Sequence, residues 1–256
     1  MEQNNLKLAV LIDADNISYK YLKTLFEEVA QYGVAYIKRV YGDWSSTLLS
    51  PWKQEALQFS IIPIQQFSYT TGKNSTDSAM IIDAMDVLYA DNVDGFCIVS
   101  SDSDFTRLAA RLRESGKIVI GFGENKTPQS FRSACDKFIC LDIIGTAITS
   151  EEKGASLEAK SSIRKVKVEK KPSTKIPSET IELLKKIVDE NGDDAERWVF
   201  LAKVGKIVNR YKSDFDYRLY GAKSLSGLFE MLNNHFEMQI RDTSNPNIKH
   251  YFVRSK

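Results

Sequence analysis

Leu8-Ala9-Val10-Leu11-Ile12-Asp13-Ala14-Asp15-Asn16 sets a continuous apolar run directly against an acidic, amide-rich end. Such a run predicts a strand buried on both faces, as parallel sheets require. Beyond it, Leu22, Leu25, Phe26 and Val29 recur at three- and four-residue spacings, which predicts a helix. Val34-Ala35-Tyr36-Ile37 and Ile61-Ile62-Pro63-Ile64 are strand-like, and the proline assigns the second to a strand end or sheet edge. A long helix follows from Thr76 to Ala90. Phe96-Cys97-Ile98-Val99 is a further buried strand, Phe105 to Leu112 a helix, and Ile118-Val119-Ile120 a strand. Phe131 to Cys135 is a short helix and Phe138-Ile139-Cys140-Leu141 a last strand. Strands alternating with helices imply right-handed crossovers and a mainly parallel sheet with helices on both faces. Residues 1–145 are therefore expected to form one α/β domain.

The pattern stops at residues 146–175. This stretch is rich in Lys, Glu and Ser, carries 8 basic and 4 acidic side chains, and has no aromatic residue. It is expected to be a flexible basic linker, closed by Pro172 and Pro177. Residues 1–145 hold 14 Lys/Arg against 18 Asp/Glu, so an acidic domain precedes a basic tether, which points to a polyanionic partner.

Residues 176–256 become helical again. Ser178 is a candidate cap for a helix bearing Ile181, Leu183, Leu184, Ile187 and Val188 and ending at Asn191-Gly192. Further helices are expected near Val199–Val208 and Ser224–Asn233. Phe236–Ile240 and His250–Val253, separated by Ser244-Asn245-Pro246-Asn247, predict a β-hairpin. Three helices and a two-stranded wing describe a small winged helix-turn-helix module.

Composition narrows the chemistry. At 43% hydrophobic and 27% charged, the 256 residues suit a soluble globular protein. No apolar run of membrane-spanning length and no secretory signal are visible, so cytoplasmic residence is the expectation, with no membrane partner. Cys97, Cys135 and Cys140 lack CxxC spacing, which argues against a disulfide framework or a zinc site. With only His235 and His250 for nitrogen ligands, any metal would be a hard cation held by carboxylates.

Three acidic clusters meet that requirement. Asp13 and Asp15 follow the first strand, Asp102 and Asp104 follow the 96–99 strand, and Asp77 opens the long helix. In a parallel α/β sheet, ligands bind beyond the carboxyl ends of the strands, so the clusters should converge on one sheet edge. Carboxylates so gathered repel one another unless a divalent cation neutralises them. Mg²⁺ or Mn²⁺ would bind through a few carboxylates and substrate phosphate, and would orient water for in-line attack on a phosphodiester. Each residue also has a plainer use. Asn16, Asp77 and Asp104 precede apolar helical runs and could simply cap them, Asp104 above all. Asp83 and Asp86 are most simply the polar face of the long helix.

Asp13-Ala14-Asp15 also resembles the nucleophile motif of haloacid-dehalogenase-type phosphatases. There Ile17 stands where Thr or Val is usual, and the second acidic cluster has the wrong spacing. Leu11 to Asn16, Gly72-Lys73-Asn74-Ser75-Thr76-Asp77 and Val99 to Phe105 together resemble the NYN domain family, a branch of the PIN-like ribonucleases. The resemblance runs over residues 6–145, including Gly121-Phe122-Gly123 and Phe131-Arg132-Ser133-Ala134-Cys135-Asp136. It implies a metal-dependent endoribonuclease using Mg²⁺ or Mn²⁺, with Asp13, Asp77, Asp102 and Asp104 as the catalytic and metal-binding set. It also implies that Asn16 contacts phosphate or metal water, that Ser100 is the small polar residue beside the metal, and that Lys73 can meet a substrate phosphate. Ser101 stands where the family often has Gly, which fits only if that turn keeps ordinary dihedrals. The alternative reading is a non-catalytic RNA-binding adapter that retains the fold.

The last segment resembles a LOTUS (OST-HTH) domain through Trp198-Val199, Leu201, Val204-Gly205, Asp214-Phe215-Asp216, Tyr220-Gly221 and Leu225-Ser226-Gly227-Leu228-Phe229. That resemblance implies binding of RNA, structured and G-rich RNA included, or of a protein partner; the RNA partner of the whole chain is expected to be single-stranded or structured. Most of these residues are apolar and suit a core. Lys203, Lys206, Arg210, Lys212, Arg218 and Lys223 are the candidate RNA contacts.

Overall fold

A computed structural model describes residues 6–67, 75–144, 176–192, 196–242 and 249–256. The expected linker over 146–175, Lys73 and the tip of the expected hairpin lie outside these. The chain divides into two units, Met1–Ile148 and Thr149–Lys256.

In the first unit, β1 (Leu6–Asp13), β2 (Gly33–Gly42), β3 (Ile62–Gln65), β4 (Gly95–Val99), β5 (Ile118–Gly123) and β6 (Lys137–Cys140) form one six-stranded sheet. The order is β3-β2-β1-β4-β5-β6, and every pairing is parallel. The helices are α1 (Leu22–Val29), α2 (Ser50–Gln58), α3 (Ser75–Tyr89), α4 (Thr106–Glu114) and α5 (Gln129–Ala134). The apolar run of β1 explains its central place. Leu8, Val10 and Ile12 pack toward Leu22, Leu25 and Val29 of α1 and Trp52 of α2, whereas Ala9 and Leu11 pack with Met80 and Ala84 of α3 and Leu108 of α4. Burying one such Leu or Ile side chain is worth about 1.5–3 kcal/mol, so both faces of this strand bind helices to the sheet. Pro63 lies in the edge strand β3, where a missing N–H is tolerated.

Strand order reverses between β1 and β4, because the chain runs outward to β3 before crossing back. The carboxyl ends of these two neighbours therefore flank the crevice where α/β sheets hold ligands. Gly123 lets the end of β5 lie close against the turn after β4: a Cβ built there would lie 2.6 Å from the Ser100 carbonyl oxygen and 2.5 Å from Thr127 Oγ1. α2 was not expected from the sequence; only Trp52 and Ala56 of its nine residues are buried, too few to set a helical period.

The second unit has α6 (Ser178–Glu190), α7 (Leu201–Tyr211) and α8 (Leu225–Met231), with strands β7 (Val199–Phe200), β8 (Phe236–Asp242) and β9 (Lys249–Ser255). Leu184, Ile187, Val204, Val208, Leu228, Phe229 and Phe236 form its core. Two expectations change. Ser178 opens α6 rather than capping it; Pro177 holds the cap position, and no side chain caps that end. Val199 and Phe200 are not helical but pair with Val253 and Phe252, so the wing has three strands in the order β7-β9-β8. Ser224 caps α8 in the ordinary way, its Oγ accepting from Gly227 N at 3.0 Å.

Candidate metal centre

β1 ends on Asp13, whose carboxylate is fully buried. Burial raises its pKa above the ordinary carboxylate range, and the donors around it offset part of that rise. Oδ1 accepts from the backbone N–H groups of Asp15 (3.1 Å) and Asn16 (3.3 Å), and Oδ2 from Asn16 Nδ2 and Ser100 Oγ (both 2.7 Å). Asp13 is thus the organiser of the turn after β1 and a cross-link to the turn after β4. Asn16 was a candidate cap; its side-chain amide instead donates to Asp13.

After β4, the buried Ser100 hydroxyl also accepts from Asp102 N at 3.1 Å. Asp102 is the cap of the 3-10 turn over residues 103–105, its Oδ1 accepting from Asp104 N at 3.0 Å. The capping role expected of Asp104 therefore falls to Asp102, and Asp104 is left exposed in the first turn. Ser101 is not among the residues with positive φ, so the departure from Gly strains nothing there, and its Oγ accepts from Glu124 N at 2.9 Å.

α3 brings Asp77 in its first turn, where the helix dipole favours a negative charge. Thr76 beside it donates to Asp15 Oδ2 at 2.8 Å and ties the helix start to the turn after β1. One carboxylate oxygen from each of Asp77, Asp102 and Asp104 lies within 4.8 Å of the others, a spacing suited to a hard cation with oxygen ligands. Asp77 is buried, and its pKa is pushed up to about 7, first by burial and then by the charges of Asp13, Asp102, Asp104 and Asp15. Such a carboxylate is short of positive charge, which fits a divalent cation.

Asp83 is more than the polar face of α3. Its carboxylate accepts from Arg39 and from Tyr41, both on β2, and so anchors the helix that carries Asp77. A sequence reading misses this because the partners sit more than forty positions away. Asp142 similarly accepts from Tyr21 Oη and Asn125 N, both at 2.6 Å.

In the second unit, Lys203, Lys206 and Arg210 recur at three- and four-residue spacing on α7, opposite the buried Leu201, Val204 and Val208. Lys206, Arg210 and Lys223 are exposed, whereas Lys203 and Lys212 are half-buried. Arg218 is engaged within the fold, its Nε and Nη2 meeting the buried Asp216 carboxylate at 2.9 and 2.6 Å.

Among the described residues, no helix is long and apolar enough to cross a membrane. An OST-HTH/LOTUS domain matches residues 171–248. A solved structure of a protein of unknown function from Vibrio parahaemolyticus is similar at 17% identity and a TM-score of 0.46, covering 55% of this chain and 95% of that one. No curated protein matches the chain. The NYN domain model matches residues 7–142, spanning the sheet and every acidic residue of the crevice, and the chain belongs to the NYN domain family.

Proposed function

We propose that this protein is a metal-dependent endoribonuclease that cleaves RNA phosphodiesters in the cytoplasm, with its C-terminal module holding RNA. The observation that carries the reading is the buried Asp77, poor in positive charge, beside Asp102 and Asp104 at the crevice between β1 and β4. NYN domains are generally nucleases, and LOTUS domains are associated with RNA.

Asp77, Asp102 and Asp104 would hold Mg²⁺ or Mn²⁺ and leave room for substrate phosphate. The bound cation would supply Lewis-acid stabilisation of the phosphoryl charge and a more acidic attacking water. Asp13 adds negative potential and holds Asn16 and Ser100 in position; Ser100 in turn fixes the backbone of Asp102. Asn16 and Lys73 are the proposed phosphate contacts. Tethering by residues 146–175 would raise the local concentration of captured RNA at the crevice.

The test is cleavage of single-stranded RNA and DNA pools by purified protein in Mn²⁺, with EDTA as control. Asp102→Asn should abolish metal-dependent cleavage while the chain stays folded. Undiminished cleavage by that variant overturns the assignment. RNA binding without any metal-dependent cleavage by the wild type would establish the adapter reading instead.

A further inference from the structure

Strand alternation divides the wing sheet into two faces. Val199, Phe236, Met238, Tyr251 and Val253 turn toward the core of the second unit. The opposite face carries aromatic rings and cations in two groups. Phe200 lies 4.9 Å from the His250 ring and 5.6 Å from the Phe252 ring, centroid to centroid. The Arg241 guanidinium sits 4.2 Å over Phe252, and that of Arg254 lies 4.6 Å over Trp198. His250 is exposed, and Phe200, Phe252 and Arg241 are half-buried. Glu237 on this face is paired with Arg254 at 2.7 Å, and Trp198 Nε1 donates to Glu196 at 3.0 Å.

We infer that this outer face of the wing, built on Phe200, Phe252, His250 and Arg241, is a nucleobase-stacking platform for single-stranded RNA. The inference rests on the proposed RNA-holding role of the C-terminal module and assigns that role a surface and a substrate conformation. Rings in a sheet surface stack on unpaired bases, whose faces are hidden in a duplex, and guanidinium groups held over rings add cation–π attraction and attract phosphate. On α7 the aromatic residue is Tyr211, exposed at the helix end with Lys186 Nζ 5.8 Å from its ring, whereas Lys203, Lys206 and Arg210 would meet backbone charge.

The test uses the full-length chain in EDTA, where metal-dependent cleavage is silent. The probe is a labelled single-stranded RNA of about twelve nucleotides carrying 2-aminopurine, compared with its duplex. The wild type should bind the single strand in preference to the duplex and quench the 2-aminopurine. Phe200→Leu combined with Phe252→Leu should weaken single-strand binding at least about tenfold and remove the quenching, given the worth of one stacked base. His250→Ala and Arg241→Gln, which leave the packed face untouched, should each weaken it severalfold. A wild type that binds RNA while these four changes leave affinity and quenching intact overturns the platform, leaves the RNA role standing, and assigns the face to a protein partner. Equal loss on duplex and single strand also overturns it. A wild type that binds no RNA overturns both readings.

Discussion

Ser100 Oγ donates to Asp13 Oδ2 at 2.7 Å and so joins the carboxyl ends of β1 and β4 across the point where strand order reverses. The same hydroxyl accepts from Asp102 N, so one small side chain holds the buried carboxylate and the backbone of a proposed ligand in register. Ser100→Ala would leave Asp13 with three of its four donors. Loss of a charge-assisted bond from a buried carboxylate is worth about 1.5–3 kcal/mol. Thermal melts should show the loss of stability, and Mn²⁺-dependent cleavage should fall at least tenfold while the fold is kept.

Asp13→Asn should behave differently from Asp102→Asn. Asp13 accepts four hydrogen bonds, and an amide would set donors against Asn16 Nδ2 and Ser100 Oγ, so both of those side chains would have to turn to accept. Asp13→Asn should therefore lower stability as well as cleavage, whereas Asp102→Asn, at a partly exposed position, should lower cleavage with little change in melting temperature.

Asp77 sets a pH dependence. Its folded pKa of about 7 lies above the ordinary 3.8, so between these values the folded chain binds a proton that the unfolded chain has released. The stability it contributes is present below about pH 4 and is lost as pH rises toward 7. The melting temperature of the metal-free protein should therefore fall over this window, and Asp77→Asn should flatten the fall. Saturating Mn²⁺ should reverse it, because the cation binds the ionised carboxylate. A wild type and Asp77→Asn with the same pH profile in EDTA would contradict this.

Much of this architecture was legible in the sequence because the signals were local. β1 announces itself by five apolar residues in succession, and α3 by an apolar pattern fifteen residues long. Strand-end placement then brings Asp13, Asp77 and the 102–104 pair together without knowledge of distances. The division of labour among them was not legible. Capping by Asp102 rather than Asp104 depends on one backbone N–H, and the anchoring of Asp83 on β2 depends on tertiary partners. β7 is two residues long, too short for any alternation, and becomes a strand only by pairing with β9.

Arg218 and the α7 cations should separate when RNA binding is measured. Arg218→Gln breaks a bidentate pair with the buried Asp216 and should cost stability before it costs affinity. Lys206→Gln and Arg210→Gln, at exposed positions, should leave the melt unchanged. Each should weaken RNA binding similarly across sequences and reduce the salt slope by about one.

Gly123 tests whether the close approach of β5 to the turn after β4 is needed. Its φ is not in the left-handed region, so backbone freedom is not the reason for glycine here. The reason is space: an added Cβ would press on the Ser100 carbonyl at 2.6 Å, and backbone yields less readily than a side-chain tip. The Ser100 N–H is itself bonded to Phe122 O at 2.9 Å, so the segment cannot retreat without losing a ladder bond. Gly123→Ala should displace the Ser100–Asp102 turn, at an overpacking cost of about 1–3 kcal/mol. Cleavage should fall together with Mn²⁺ affinity, although no carboxylate is changed. Gly116→Ala, at a left-handed turn with open space around it, should cost stability without affecting Mn²⁺ affinity. If Gly123→Ala binds Mn²⁺ as the wild type does, the turn after β4 tolerates displacement and Ser100 is not the element that fixes Asp102.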